Sequence, residues 1–196
     1  MRPFLAILLA AAPAFADWEG RARFTFTPPR PGQGPLADGR IHMKRGKIRI
    51  EQKGPMGEMA IVFNLSTKKL DLLLLERKQY MELDQSMSAA TVPPVCSGGT
   101  PAACLAAQGF KRTGAEAMEG RKTSIWEQQR DTPMGKIEQR LWIVDGAREL
   151  MFLRQVTKSD RGSARTDVLD AEEKPQPDSL FRVPADFTRL QARPAD

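Results

Sequence analysis

Short runs of alternating apolar and polar residues recur along most of the chain, and they restrict the fold to one built from β-strands. In residues 18–27, for example, Ala22, Phe24 and Phe26 fall on one face. Period-two patterns separated by polar turns are typical of antiparallel strands. About eleven segments have this character: 18–27, 41–43, 48–50, 59–63, 70–75, 79–83, 115–118, 121–128, 137–144, 149–156 and 164–169.

Turn and helix signals organise these segments. Arg45 and Gly46 lie between two of them and predict a tight hairpin. Thr100 is a good N-cap, Pro101 suits the first helical position, and Gly109 suits the residue beyond the last turn, so a short helix is predicted over 101–108. Residues 84–90 are a second helical candidate. So many antiparallel strands in one domain must curl into a barrel or a sandwich. The predicted class is therefore mainly β (α+β), with a short helical insertion.

The first sixteen residues have the character of a secretory signal peptide. Arg2 supplies a positive start, residues 4–12 are apolar, and Ala14 and Ala16 form a small-x-small cleavage pattern. We therefore expect cleavage after Ala16 and a single mature domain over 17–196. No cysteine follows the cut to carry a lipid anchor, and no later apolar run approaches the ~20 residues of a membrane-spanning helix.

Charge and cysteine content narrow the function classes. The formal charge is +6, which falls to +5 when Arg2 is removed, and acids and bases are interleaved. No basic stripe alternates with stacking aromatics, so a nucleic-acid partner is not expected. The two cysteines, Cys96 and Cys104, are an even pair in an exported chain, so we predict a disulfide that stabilises the fold by roughly 2–3 kcal/mol.

The sequence offers little for catalysis. With His42 as the one histidine, neither a Ser-His-Asp triad nor a histidine metal site is expected, and we predict no enzyme activity, no cofactor and no metal. His42 alternates with Ile41 and Met43, which predicts that it faces solvent. Arg49 lies opposite Ile48 and is likewise expected to be solvated on the outer face.

Several motifs, taken in order, resemble one family. The chain contains GKIRIE at 46–51, KQYM at 78–81, TGAE at 113–116 followed by Gly120 and Trp126, and PDSLFRVP at 177–184. Their order and spacing resemble the LolA-like superfamily of bacterial periplasmic proteins, most of all an uncharacterised, domain-of-unknown-function branch of it. The resemblance covers about residues 41–190.

The resemblance implies a fold and a compartment. The expected architecture is an unclosed antiparallel β-barrel with a helical lid over its concave face, in the periplasm. In well-studied members of the family the cavity carries acyl chains of lipoproteins. LolA itself begins with a helix that forms part of the lid, whereas strand-like residues start here at Trp18, so the lid is expected from residues 84–109. In the family, a basic residue near the position of Arg49 bonds to lid carbonyls.

The apolar alternation and this resemblance together predict a ligand cavity. Apolar walls suit an acyl chain, and flexible methionines adapt to varied ligands. The pattern leaves two alternatives open, since the same residues fill a solid core equally well, and a one-residue register shift exchanges the faces. The expected lining is Ile48, Ile50, Met59, Ile61, Phe63, Leu72, Leu74, Met81, Trp126, Trp142 and Phe152.

Two functions from different classes remain at this stage. The first is a non-enzymatic binding or carrier protein for lipid, a lipoprotein acyl chain or another apolar ligand. The second is an interaction or structural module of the cell envelope, with a filled core and no small ligand. Envelope proteins or lipoproteins are the expected partners, and a monomer is the expected state.

Overall fold

A computed structural model describes residues 17–29, 36–54, 56–83, 92–132 and 135–190. The predicted signal peptide and the second helical candidate at 84–90 lie outside the described residues. The strands are β1 Trp18–Thr27, β2 Leu36–Lys44, β3 Lys47–Gly54, β4 Gly57–Asn64, β5 Lys69–Leu74, β6 Gln79–Leu83, β7 Lys111–Met118, β8 Arg121–Thr132, β9 Gly135–Val144, β10 Phe152–Ser159, β11 Gly162–Glu173 and β12 Thr188–Arg189. The helix α1 spans Pro101–Ala107, and a single 3-10 turn spans Asp178–Phe181.

The twelve strands form one sheet in the order β12-β6-β5-β4-β3-β2-β1-β11-β10-β9-β8-β7. Two antiparallel meanders, β1–β6 and β7–β11, meet where β1 pairs with β11. Within the described ranges the sheet is not closed, because β12 and β7 form its two edges. This confirms the predicted unclosed antiparallel barrel with a short helix.

The sheet curls, since strands far apart in it share one interior. β4 and β9 have five strands between them, yet Phe63 of β4 and Gln139 of β9 line one cavity. The main core lies on the concave side and includes Trp18, whose ring meets Phe152 edge-on at 5.5 Å. The Trp18 indole N–H donates to the Leu150 carbonyl at 3.0 Å.

Several strand boundaries differ from the pattern, and β2, β10 and β12 are three examples. β2 begins at Leu36, inside the stretch 28–38 whose prolines and glycines indicate a loop. β10 begins only at Phe152, although the buried Leu150 and Met151 extend the apolar pattern before it. β12 has two residues and pairs in parallel with β6; two residues are too few for a period-two signal.

The last described residues cover the outer face of the first meander. Phe181 is buried there against Ala60, Val62 and Leu73, with Leu180 and Phe187 beside them. We call residues 174–190 the C-terminal segment. The C-terminal segment occupies the outer face of β3–β6. Any ligand-sized space formed by these four strands must therefore lie on their concave side.

No helix among the described residues is long and apolar enough to cross a membrane.

Candidate ligand cavity

A cross-linked segment lies over the concave face. We call residues 92–110 the strap. It contains α1, and a disulfide joins Cys96 to Cys104 with 6.0 Å between their Cα atoms. The Thr100 side chain accepts a hydrogen bond from the Ala103 N–H at 3.2 Å, so it caps α1. The predicted disulfide and helix are both confirmed.

Apolar side chains hold the strap against the sheet. Val92, Val95, Leu105 and Phe110 all belong to the main core, and Leu105 is fully buried. Leu105 is the residue of α1 that points inward, and the other residues of this helix are alanine, proline and cysteine. The strap therefore packs as part of the core rather than as a separate layer.

Hydrogen bonds tie the strap to both halves of the sheet. The Gly46 N–H donates to the Cys96 carbonyl at 2.8 Å. Gly46 turns the β2–β3 hairpin with φ +70°, a conformation that favours glycine. On the other side, the Gln128 side-chain amide of β8 donates to the Gln108 carbonyl. The strap thus spans the opening between β3 and β8.

Seven of the predicted lining residues come together beneath the strap and pack in the main core: Ile48, Ile50, Ile61, Phe63, Leu72, Trp126 and Phe152. The space left at the centre of the trough is small. A gap of about 40 Å³ lies between Phe24, Ile50 and Ile61, with Pro93 of the strap above. Since one water occupies about 30 Å³ of liquid, the centre is filled by the chain itself.

Three more predicted residues, Met59, Leu74 and Met81, lie on the concave face at the margin of the main core. Met59 pairs with Leu74, and Leu72 pairs with Met81. Directly opposed residues share a face, so all three point with Leu72 towards the concave side. They fall outside the cluster formed by the described core residues.

Trp142 lies on the opposite face and does not join the others. Its neighbours along β9, Leu141 and Ile143, belong to the main core, so alternation turns Trp142 outward. The guanidinium groups of Arg140 and Arg154 lie 5.8 and 5.4 Å from its ring centre. Its indole N–H is buried and has no hydrogen-bond partner among the described residues.

The large cavity lies beside the C-terminal end of α1. It has a volume of about 610 Å³, within the roughly 300–1,000 Å³ of protein ligand sites. One wall is apolar and comes from β4 and the strap, and the other is polar and comes from β8 and β9. Its lining is Phe63, Leu65, Val92, Pro93, Pro94, Val95, Ser97, Gly98, Cys104, Ala107, Gln108, Phe110, Gln128, Arg130 and Gln139.

The polar wall carries three side chains that the sequence interpretation missed. Gln128 and Gln139 are paired across β8 and β9. The Arg130 guanidinium donates to the Gln139 side-chain oxygen at 3.4 Å. Burial lowers the pKa of Arg130 below the ordinary arginine value. A signal was available, since Gln128 and Arg130 follow Trp126 at intervals of two and so share its inward face.

A second cavity, of about 390 Å³, flanks the other end of α1. Thr100 and Pro101 form one side, and Ser124, Trp126 and Ile143 form the other. The Trp126 indole N–H donates to the Ser124 hydroxyl at 2.9 Å. Trp126 is thus the predicted residue that borders this space, whereas Phe63 is the one that borders the larger cavity.

Two polar residues expected in solvent are buried, and both expectations are wrong. Arg49 points to the outer face as predicted, but it donates to the Leu180 carbonyl at 3.1 Å and to Glu51 at 2.6 Å. His42 lies 3.1 Å from the Gln176 side-chain oxygen and is also buried. The cause is the C-terminal segment, which covers both side chains. Arg49 therefore bonds this segment, whereas the resemblance allowed a bond to the lid.

Comparisons with solved structures identify proteins that are similar to this chain in fold. The chain is similar to an uncharacterised conserved protein from Thermus thermophilus, with 12% identity, a TM-score of 0.53 and 89% of each chain covered. It also matches MucB (12% identity, TM-score 0.49, 88% of this chain and 58% of that one). A third match is a putative outer membrane lipoprotein-sorting protein domain from Vibrio parahaemolyticus (12%, 0.42, 85% and 92%).

No protein-family model matches the chain, and no curated protein matches it in sequence. Sequence identities this low show only that the fold is shared. The fold that the resemblance implies is confirmed, since the chain forms an unclosed antiparallel sheet and shares its overall fold with the Thermus thermophilus protein.

Proposed function

We propose that the protein is a non-enzymatic binding or carrier protein of the periplasm, and that it takes an apolar chain into the 610 Å³ cavity beside α1. The cavity itself carries the proposal. Its volume suits a ligand, and Phe63, Val92, Val95 and Phe110 give it apolar surface. Burial of each methylene of a ligand chain contributes about 0.8 kcal/mol.

The expected binding surface is narrower than the set predicted from the sequence. Because the centre of the trough is filled, Ile48, Ile50 and Ile61 act as supporting core in this proposal. Phe63 is the predicted residue that contacts the ligand directly. Strap residues Val92 and Val95 complete the apolar wall.

The test uses a graded series of alkyl chains with one head group, titrated against the full chain by displacement of Nile red. Affinity should rise about fourfold for each added methylene. It should then level off when the cavity is full. Adsorption to an open surface has no such plateau, and its presence or absence separates the two mechanisms.

A matched pair of variants locates the site. Ala107 lines the cavity and is exposed, so Ala107→Trp should obstruct part of the space without disturbing the core and should weaken uptake of the longest chains most. Its neighbour Ala106 is exposed on α1 but does not line the cavity, so Ala106→Trp should bind like the wild type. Equal binding by both variants would refute this location.

The filled centre of the trough favours a second candidate, an envelope interaction module without a small ligand. Native mass spectrometry of protein purified from the cell envelope separates the two. Bound lipid supports the carrier, and a bare protein that also ignores Nile red supports the module.

A further inference from the structure

The large cavity is amphipathic, and this constrains its ligand beyond being apolar. The strap and β4 offer Phe63, Val92 and Val95, while β8 and β9 offer Gln128, Arg130 and Gln139. Arg130 is the one charged side chain among the described residues that line this cavity. A ligand seated here meets apolar surface at one end and a guanidinium at the other.

We propose that the cavity selects a single acyl chain with an anionic head group, and that this head group binds Arg130. The inference rests on the proposed function. A guanidinium presents paired N–H donors that match carboxylate and phosphate oxygens. The neighbouring Gln128 amide donates one N–H to the Gln108 carbonyl and carries a second N–H that suits the same oxygens.

The loss of water from the Arg130 guanidinium on binding determines which head group is preferred. Arg130 is half-buried at the edge of the cavity. A neutral chain that enters removes water from the guanidinium without replacing the lost hydrogen bonds. An anionic head group accepts hydrogen bonds from the guanidinium and also brings the opposite charge next to it. A cationic head group adds repulsion and should bind most weakly.

The position of Arg130 also orients the ligand. Arg130 and Gln139 lie on β8 and β9, across the cavity from Phe63 on β4. The head group should therefore sit at the β8–β9 wall, and the chain should run under the strap towards Phe63. A volume of about 610 Å³ is that of a site for one small molecule, so one chain is expected.

The test compares ligands that share one alkyl chain and differ in the head group. A fatty acid, the corresponding alcohol, the corresponding amine and a lysophosphatidic acid are titrated by calorimetry against the full protein. The acid and the phosphate should bind about tenfold to a hundredfold more tightly than the alcohol. Preference for the acid alone indicates a carboxylate ligand, and preference for the phosphate alone indicates a phospholipid source.

Variants assign the preference to one side chain. Arg130→Gln should bring the acid and the alcohol to similar affinities, because it removes both the charge that binds the acid and the desolvation cost that the alcohol meets. Arg130→Lys keeps the positive charge but loses the paired N–H donors of the guanidinium, so it should retain part of the preference for the acid. The matched control is Arg23→Gln on β1, which removes the same charge from an exposed site away from the cavity and should behave like the wild type.

A measurement on the wild type guards against a variant that fails to fold. Acid affinity should fall as salt rises while alcohol affinity stays constant, because salt screens only the charged pair. Equal affinity of acid and alcohol in the wild type, or a preference that survives Arg130→Gln, overturns the inference and leaves the proposed function standing. If no ligand of the series binds, the proposed function itself fails.

Discussion

Reduction of the Cys96–Cys104 disulfide should lower stability by an amount that follows from the short loop it closes. The cysteines are separated by 8 positions. For a loop of that size, the loss of chain entropy in the unfolded state amounts to about 2.5 kcal/mol. For a domain of this length, the melting temperature should fall by about 5–10 °C.

The assay is urea unfolding followed by circular dichroism, on oxidised and reduced wild type and on the double variant Cys96→Ala with Cys104→Ala. Cys96 is buried in the main core, so the double variant should lose about 1 kcal/mol more than the reduced wild type. A reductant should leave the double variant unchanged, which serves as the control.

A difference below about 0.5 kcal/mol between oxidised and reduced wild type would refute the reasoning. It would mean that the strap is held by its apolar contacts and its hydrogen bonds to Gly46 and Gln128 alone. Nile red binding in the same samples links stability to function, because the strap forms one wall of the cavity.

Three further predictions follow from the outer face. Phe181→Ala should cost about 3 kcal/mol in urea unfolding because Phe181 anchors the C-terminal segment, yet a folded variant should keep its Nile red affinity. Trp142→Phe should stay within about 1 kcal/mol of the wild type in the same assay, since the loss of ring size is offset by removal of a buried N–H that has no hydrogen-bond partner in the described part of the chain; a large loss would contradict this. Burial, and then Glu82, raise the pKa of Asp71. Stability should therefore fall as pH rises from the unfolded pKa through the folded one, and pH-dependent unfolding of Asp71→Asn should lack this fall.

The strand pattern and the helix caps could be predicted because their signals are local. Alternation assigns faces through the two-residue repeat of a strand, and it places Ile48, Ile50 and Ile61 together in the core. Thr100, Pro101 and Gly109 define α1 through backbone hydrogen bonds and φ preferences within one turn.

The burial of His42 and Arg49 could not be predicted in this way. Both side chains contact residues more than a hundred positions later, Gln176 and Leu180. Alternation says which face a residue occupies, but not what covers that face. The outer face of β3–β6 has the C-terminal segment on it, and local patterns carry no signal for such docking.

The location of the ligand-sized space could be predicted from the sequence only in part. Large apolar residues mark the centre of the trough, where the strap packs down and leaves about 40 Å³. The larger space lies where Gln128, Arg130 and Gln139 turn inward. Trp142 has the size and apolar surface of a lining residue, but alternation with Leu141 and Ile143 places it outside.

Paramagnetic NMR with a spin-labelled fatty acid tests the central claim most directly, namely that an acyl chain occupies the space between the strap and the β8–β9 wall. The account predicts strong broadening of the amides of Phe110, Gln128 and Arg130. The amide of Phe181, in the C-terminal segment on the outer face, should broaden much less. Broadening centred on the outer face, or none at a saturating ligand concentration, would contradict the account.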